Sequence, residues 1–220
     1  MLTAFTAGLL LITISEIGDK SFFIAVILAM HHSRRLVFAG AMLALMIMTV
    51  LSVWVGQFAH FIPKVYTHYA TAGLFLLFGL KLLWDAKKLK AKSGECLGAV
   101  EAEEFLEEQE KSQNAFQAGK LKLGKLLSNY PQVAVVLKAF TLTFLAEWGD
   151  RTQISTFALA ASQNSIGVTL GAILGHGICA LLAVIGGRLI ACRISDWLVT
   201  AIGGSLFLVF SGITLVGEGI

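Results

Sequence analysis

The chain has 220 residues, 56% of them hydrophobic and 14% charged, with a net charge of +3. A soluble globular domain carries about 25% charged residues; with a mean hydropathy of +0.78, this chain is expected to be a polytopic membrane protein instead. The charge forms no basic patch with interleaved aromatics, so no nucleic-acid partner is expected, and Cys96, Cys179 and Cys192 lack the C-x-x-C spacing of a zinc knot or a disulfide framework.

Six apolar blocks approach the roughly 20 residues a membrane helix needs. They run over 2–30, 36–60, 66–86, 133–160, 165–187 and 196–217. The first opens with MLTAFTAGLL, which lacks the positive n-region of a secretory signal and is read as a retained helix. At its centre SEIGDKSFF (15–23) sets Glu16, Asp19 and Lys20 among apolar neighbours. The second block carries MLALMIM (42–48), read as core or lipid face. The third ends in Lys81, Trp84 and Asp85, read as an interfacial anchor. From Lys87 to Pro131 the text changes to KKLKAK, EAEEFLEEQEK and GKLKLGK. This polar segment, helical in part, reads either as a solvated linker or as a regulatory or cation-attracting element. The fourth block is centred on LAEWGDRTQI, with Glu147, Asp150 and Arg151. The fifth holds His176 in LGHGIC, either a proton relay or a packed, hydrogen-bonded histidine.

Basic residues mark the cytoplasmic ends of membrane helices. Arg34 and Arg35, the central lysines, and Arg188 with Arg193 fall in alternate connections, whereas the other two offer only Lys64 and SQNS. The central segment is therefore expected in the cytoplasm and both termini on the opposite face.

The chain also repeats. SEIGDKSFFIAVILA aligns with AEWGDRTQISTFALA, and FAGAML (38–43) with TLGAIL (169–174). The expected architecture is all-α and integral to the membrane: a three-helix repeat over 1–86, a polar cytoplasmic loop over 87–131 and a second three-helix repeat over 132–220. Three crossings per half insert the second copy upside down, giving six transmembrane helices as a 3+3 inverted-topology repeat. In such folds the binding site lies at the bilayer midplane between the repeats.

A charge at the centre of a membrane helix costs about 2.5–3.5 kcal/mol even on the lenient insertion scale, and such residues face the protein interior and serve function. Glu and Asp at i and i+3 share a helix face, so two helices would bring four carboxylates together. The glycine between them would let backbones approach or loosen the helix and free carbonyls for a cation. The candidate metal-binding residues are Glu16, Asp19, Glu147 and Asp150, with Ser21, Thr152 and Gln153 secondary. An all-oxygen set suits a hard divalent cation such as Mn²⁺ or Ca²⁺ as the transported species, not a bound cofactor. Lys20 and Arg151 would balance charge or gate the site, or form ion pairs that clamp the halves. If both point inward, four carboxylates against two bases leave a charge of −2, which one divalent cation or two protons would cancel. A cation channel and an intramembrane aspartyl protease with two aspartates sharing a proton are the alternatives to an exchanger.

The paired motifs EIGDKS and EWGDRT resemble those of the GDT-type family of cation/proton antiporters, and the resemblance covers nearly the whole chain. GDKSFFIAVILAM, KLLWDA, LAEWGDRTQI and LGHGIC look most like the manganese exporters of photosynthetic membranes. The resemblance implies export of Mn²⁺, or Ca²⁺, from the cytosol in exchange for H⁺, no enzymatic activity, and cation binding by the four acids. It also implies a multi-pass protein of a bacterial plasma membrane or a thylakoid-type membrane.

Overall fold

A computed structural model describes residues 1–61, 63–91, 97–117, 130–191 and 196–216. Cys96, Cys192, Arg193 and the GKLKLGK stretch lie outside the described residues. The described chain is helical: α1 (Leu2–Glu16), α2 (Lys20–His31), α3 (Arg34–Phe58), α4 (Lys64–Ala91), α5 (Leu97–Gln117), α6 (Pro131–Glu147), α7 (Arg151–Ser162), α8 (Ser165–Ala191) and α9 (Asp196–Val216), with a 3₁₀ turn over Ala59–Phe61.

Four helices, over Arg34–Phe58, Val65–Lys90, Ser165–Gly186 and Trp197–Val216, are long and apolar enough to cross a bilayer. The first and fourth predicted blocks, expected as continuous helices, are each interrupted at the motif. Ile17 adopts φ −65° and ψ 120°, Gly18 adopts φ 80°, and the Asp19 amide donates to the Glu16 carbonyl at 3.2 Å. That is a type II β-turn, whose third residue needs the positive φ that glycine supplies. Trp148 (φ −64°, ψ 111°), Gly149 (φ 78°) and the Asp150 amide on the Glu147 carbonyl at 3.1 Å repeat it. The E-x-G-D motif is thus a turn joining two half-length helices, and the aspartate is the N-cap of the second.

The matched halves pack through matched residues. Gly40 of α3 lies so close to α6 that a Cβ would overlap the Val136 carbonyl and stand 3.1 Å from the Phe140 amide nitrogen. Its counterpart Gly171 of α8 meets α1 in the same way, at the Phe5 carbonyl and the Leu9 amide nitrogen. Between α4 and α9, Gly79 and Gly204 face each other, and the Ser211 hydroxyl donates to the Ala72 carbonyl at 2.8 Å. Close backbone approach of this kind replaces hydrophobic collapse as the cohesive force between helices in lipid.

Two cores result. One joins α1, α4, α7 and α9, with Val53 of α3 and Val168 and Ala172 of α8, around Leu11, Phe75, Leu159 and Phe207; it is fastened by the Thr71 hydroxyl, which donates to the Ala158 carbonyl at 3.1 Å. The other joins α2, α3, α5, α6 and α8 around Phe23, Val37, Ala102, Leu142 and Val184. The α4–α9 pair belongs to the first core only and leans on α1 and α7, the two half-helices at one end of the molecule. At the other end it stands apart from α2 and α6, and a cleft opens there. The central segment, expected as a polar loop, contributes two ordered pieces. α4 continues to Ala91, and α5 packs along α2. Lys88 over the Trp84 ring at 5.6 Å and Lys90 over the Trp197 ring at 4.9 Å mark the same end.

Candidate functional site

The two turns place the acids in two layers. Glu16 and Glu147 end α1 and α6 and are 2% and 3% exposed. Each carboxylate accepts one hydroxyl hydrogen bond, from Ser21 at 3.1 Å and from Thr152 at 3.2 Å, the matched residues of the two motifs. Asp19 and Asp150 begin α2 and α7, border the cleft, and keep side-chain exposures of 22% each. The spacing i, i+3 would have set Glu and Asp on one helix face; the turn between them separates them instead. Among the described residues no three of the His, Cys, Asp and Glu side chains gather closely enough to hold a metal ion.

The halves meet through Arg151. Its guanidinium lies 3.4 Å from the Asp19 carboxylate of the other half and 3.9 Å from that of Asp150. Asp150 turns back on its own helix, accepts from the Thr152 amide at 3.5 Å and lies 3.3 Å from the Thr152 hydroxyl, whose one hydrogen it shares with Glu147, whereas Asp19 makes no such cap bond. The Gln153 side-chain oxygen accepts from the Gly149 amide at 2.7 Å and so braces the second turn. Lys20 departs from the symmetry: its ammonium stands 4.8 Å above the Phe105 ring of α5.

His176, whose matched position in the first half is Leu45, is 5% exposed and sets Nδ1 3.5 Å from Glu16 Oε1. It also borders the small chamber around Glu147, so it stands between the two buried glutamates. Cys179, one turn on, donates its thiol to the Thr13 carbonyl at 3.3 Å. The chamber contains residues that the motifs did not signal: Thr49 and Ser52 of α3 and Thr156 of α7. Their hydroxyls donate to the Leu45, Met48 and Thr152 carbonyls at 2.8 Å each. Thr49 and Ser52 are the two hydroxyl-bearing residues of an otherwise greasy third helix between Met42 and Val55, and that isolation was the available signal.

Neither turn glycine has a heavy atom within 4 Å of where a Cβ would stand, so their requirement is conformational and not one of close approach. A left-handed conformation costs a residue with a Cβ about 1–2 kcal/mol. Gly149→Ala is therefore expected to lower the thermal unfolding midpoint of the purified protein, while alanine at Gly73, equally open but helical, leaves it within error. Equal midpoints for the two variants would contradict the turn.

The sequence profile of the family described as divalent cation/proton antiporter GDT1 matches residues 4–90 and 135–219. The chain belongs to the GDT1 family. It is 53% identical over 211 residues to the GDT1-like protein sll0615 of Synechocystis sp., covering 96% of each chain. To the chloroplastic PAM71-homolog protein of Arabidopsis thaliana it is 42% identical, over 98% of this chain and 60% of that one. To GDT1-like protein 5 of the same plant it is 41% identical, over 96% and 94%. No solved structure matches the chain. As a GDT1 member it is a multi-pass membrane protein of divalent-cation/proton transport, and a transporter, not an enzyme. The two matched stretches are the two motif-bearing halves; the GDT1 profile leaves out the segment that contains α5.

Proposed function

We propose that this GDT1 member exports Mn²⁺, with Ca²⁺ the second candidate, from the cytosol in exchange for protons. Its two halves form an inverted-topology repeat around one site. Glu16, Asp19, Glu147 and Asp150 are the cation's carboxylates, the aspartates at the cleft and the glutamates in the buried layer, with no three of them close enough in this arrangement to hold it at once. Ser21, Thr152 and Gln153 help, with Arg151 balancing charge and His176 beside Glu16 as proton relay. The observation that carries this reading is the pair of matched turns meeting across the Arg151–Asp19 contact. Carboxylates, hydroxyls and water suit Mn²⁺ and Ca²⁺. Carboxylates that release a cation accept protons, so one site serves both ions in turn.

The direction rests on the cleft. It reaches Asp19, Asp150 and Arg151 between Leu82 of α4 and Thr200 and Gly203 of α9, at the end where α4 gives way to the central segment. Arg34, Arg35, Lys87, Lys88 and Lys90 crowd that end, which the positive-inside rule assigns to the cytosol. Both termini then lie on the far side of a plasma or thylakoid-type membrane.

Flux from purified protein in liposomes tests the reading. Mn²⁺ or Ca²⁺ movement is expected to follow an imposed pH gradient and to drive protons the other way. Cation flux that ignores the pH gradient would mean a channel instead. In cells, a cysteine placed at Gln163 is expected to react with an impermeant reagent from outside and one at Lys111 to be protected. The opposite labelling would reverse the direction of transport.

A further inference from the structure

The two bases of the motifs occupy matched positions but have different partners. Arg151 crosses to Asp19 of the other half. The symmetric move for Lys20 would be towards Asp150, yet among the described residues no carboxylate lies within 4 Å of its ammonium, which sits over the Phe105 ring. That ring belongs to α5, the helix outside the family match. α5 is no loosely tethered linker. Ala102 is fully buried against the core around α2, and Ala99, Phe105 and Leu106 pack beside it, one face of the helix at i, i+3 and i+6 to i+7. Its glutamates Glu101, Glu103, Glu104, Glu107 and Glu108 occupy the remaining faces.

We propose that α5 sets the cation affinity of the site by holding Lys20 away from it, with Phe105 the positioning residue. An ammonium over an aromatic face is attracted by the ring quadrupole. Released from Phe105, the flexible lysine stem is free to turn towards the cleft, where its charge would pair with Asp150 as Arg151 pairs with Asp19. A cation entering the cleft would then compete with a second positive charge. Any event that lifts α5 from α2 would weaken cation binding without touching a ligand, which gives the central segment a regulatory hold on a site it does not line. This inference rests on the site proposed above.

The test is Mn²⁺ binding to the purified full-length protein at fixed pH, read from the paramagnetic resonance of free Mn²⁺. Phe105→Leu keeps apolar bulk against α2 but removes the ring; Phe105→Tyr keeps the ring. The leucine variant is expected to bind Mn²⁺ about threefold more weakly, the size one cation–π contact supports, and the tyrosine variant to bind as the parent does. In a Lys20→Met background, Phe105→Leu is expected to change nothing. Unaltered affinity in Phe105→Leu overturns the proposal, and so does an equal loss with and without Lys20, which would make Phe105 a packing residue only. Asp150→Asn in the same assay separates the two levels: parent-like binding there overturns the site itself, and the role of α5 with it.

Discussion

Replacing Glu147 with glutamine is expected to reduce cation flux in liposomes at least about a hundredfold while the protein still inserts and purifies normally. The substitution keeps an oxygen to accept the Thr152 hydroxyl, now at 3.2 Å, and removes only the charge. Two unit charges 4 Å apart attract by about 4 kcal/mol at the effective dielectric of a protein site, and each 1.36 kcal/mol is tenfold in rate. The carboxylate is also a proton acceptor, so its loss strikes both half-reactions. Glu16→Gln, which keeps an acceptor for Ser21, is expected to do the same, and Asp19→Asn and Asp150→Asn likewise. Stability moves the other way or stays put, because removing a buried charge removes its desolvation penalty. The thermal midpoint without cation should therefore hold or rise in the two glutamine variants. Parent-like flux in any two of the four would dismiss the shared site.

A second large effect is expected far from any charge. Valine at Gly171 would drive a branched side chain into the Phe5 carbonyl and the Leu9 amide of α1. Backbone cannot yield as a flexible side chain does, and overpacking typically costs about 1–3 kcal/mol or more. Since α1 carries Glu16 at its end, the variant loses the site with the packing: little monodisperse protein is expected on size exclusion, and no flux. Gly40→Val is expected to fail alike at α6, the helix that carries Glu147. The control is Gly212→Ala on α9, where a Cβ meets nothing within 4 Å. If Gly171→Val purifies and transports as well as Gly212→Ala, the crossing is not as close as described.

The sequence made the two acidic motifs legible because charge inside an apolar block has no bland explanation twice over. It also placed glycine where the helices break: of the two roles expected, close approach fails because no neighbour crowds Gly18 or Gly149, and loosening of the helix goes as far as a turn that needs a positive φ. Helical periodicity misplaced the acids relative to one another. It carried Glu16 and Asp19 on one face across a turn that ends one helix and begins another, and nothing in a periodic reading registers that change of direction. Arg151 was legible as a residue with two readings, charge balance at the site or an ion pair clamping the halves, and the structure sets it 3.4 Å from Asp19 of the other half. A helix in the central segment was legible, but the packing of α5 was hidden by composition. Ala99, Ala102 and Phe105 have helical spacing, but five glutamates between Glu101 and Glu108 dominate the stretch. A helix so acidic reads as solvated unless the surface waiting for it is known.

The chamber around Glu147 has a polarity with a sign. A hydroxyl is ambivalent by nature, with one hydrogen to give and two lone pairs to offer. Thr49, Ser52 and Thr156 have each committed that hydrogen to a carbonyl of their own helix, one turn back. Their remaining capacity is lone pairs alone. Three neutral side chains thereby present electron density and no donor, so within the proposed site they would favour a cation or a proton carrier over an anion. In the proposed site, discrimination by charge would thus extend beyond the acids to walls that carry no charge at all, held in place by hydroxyls bonded to the backbone one turn back.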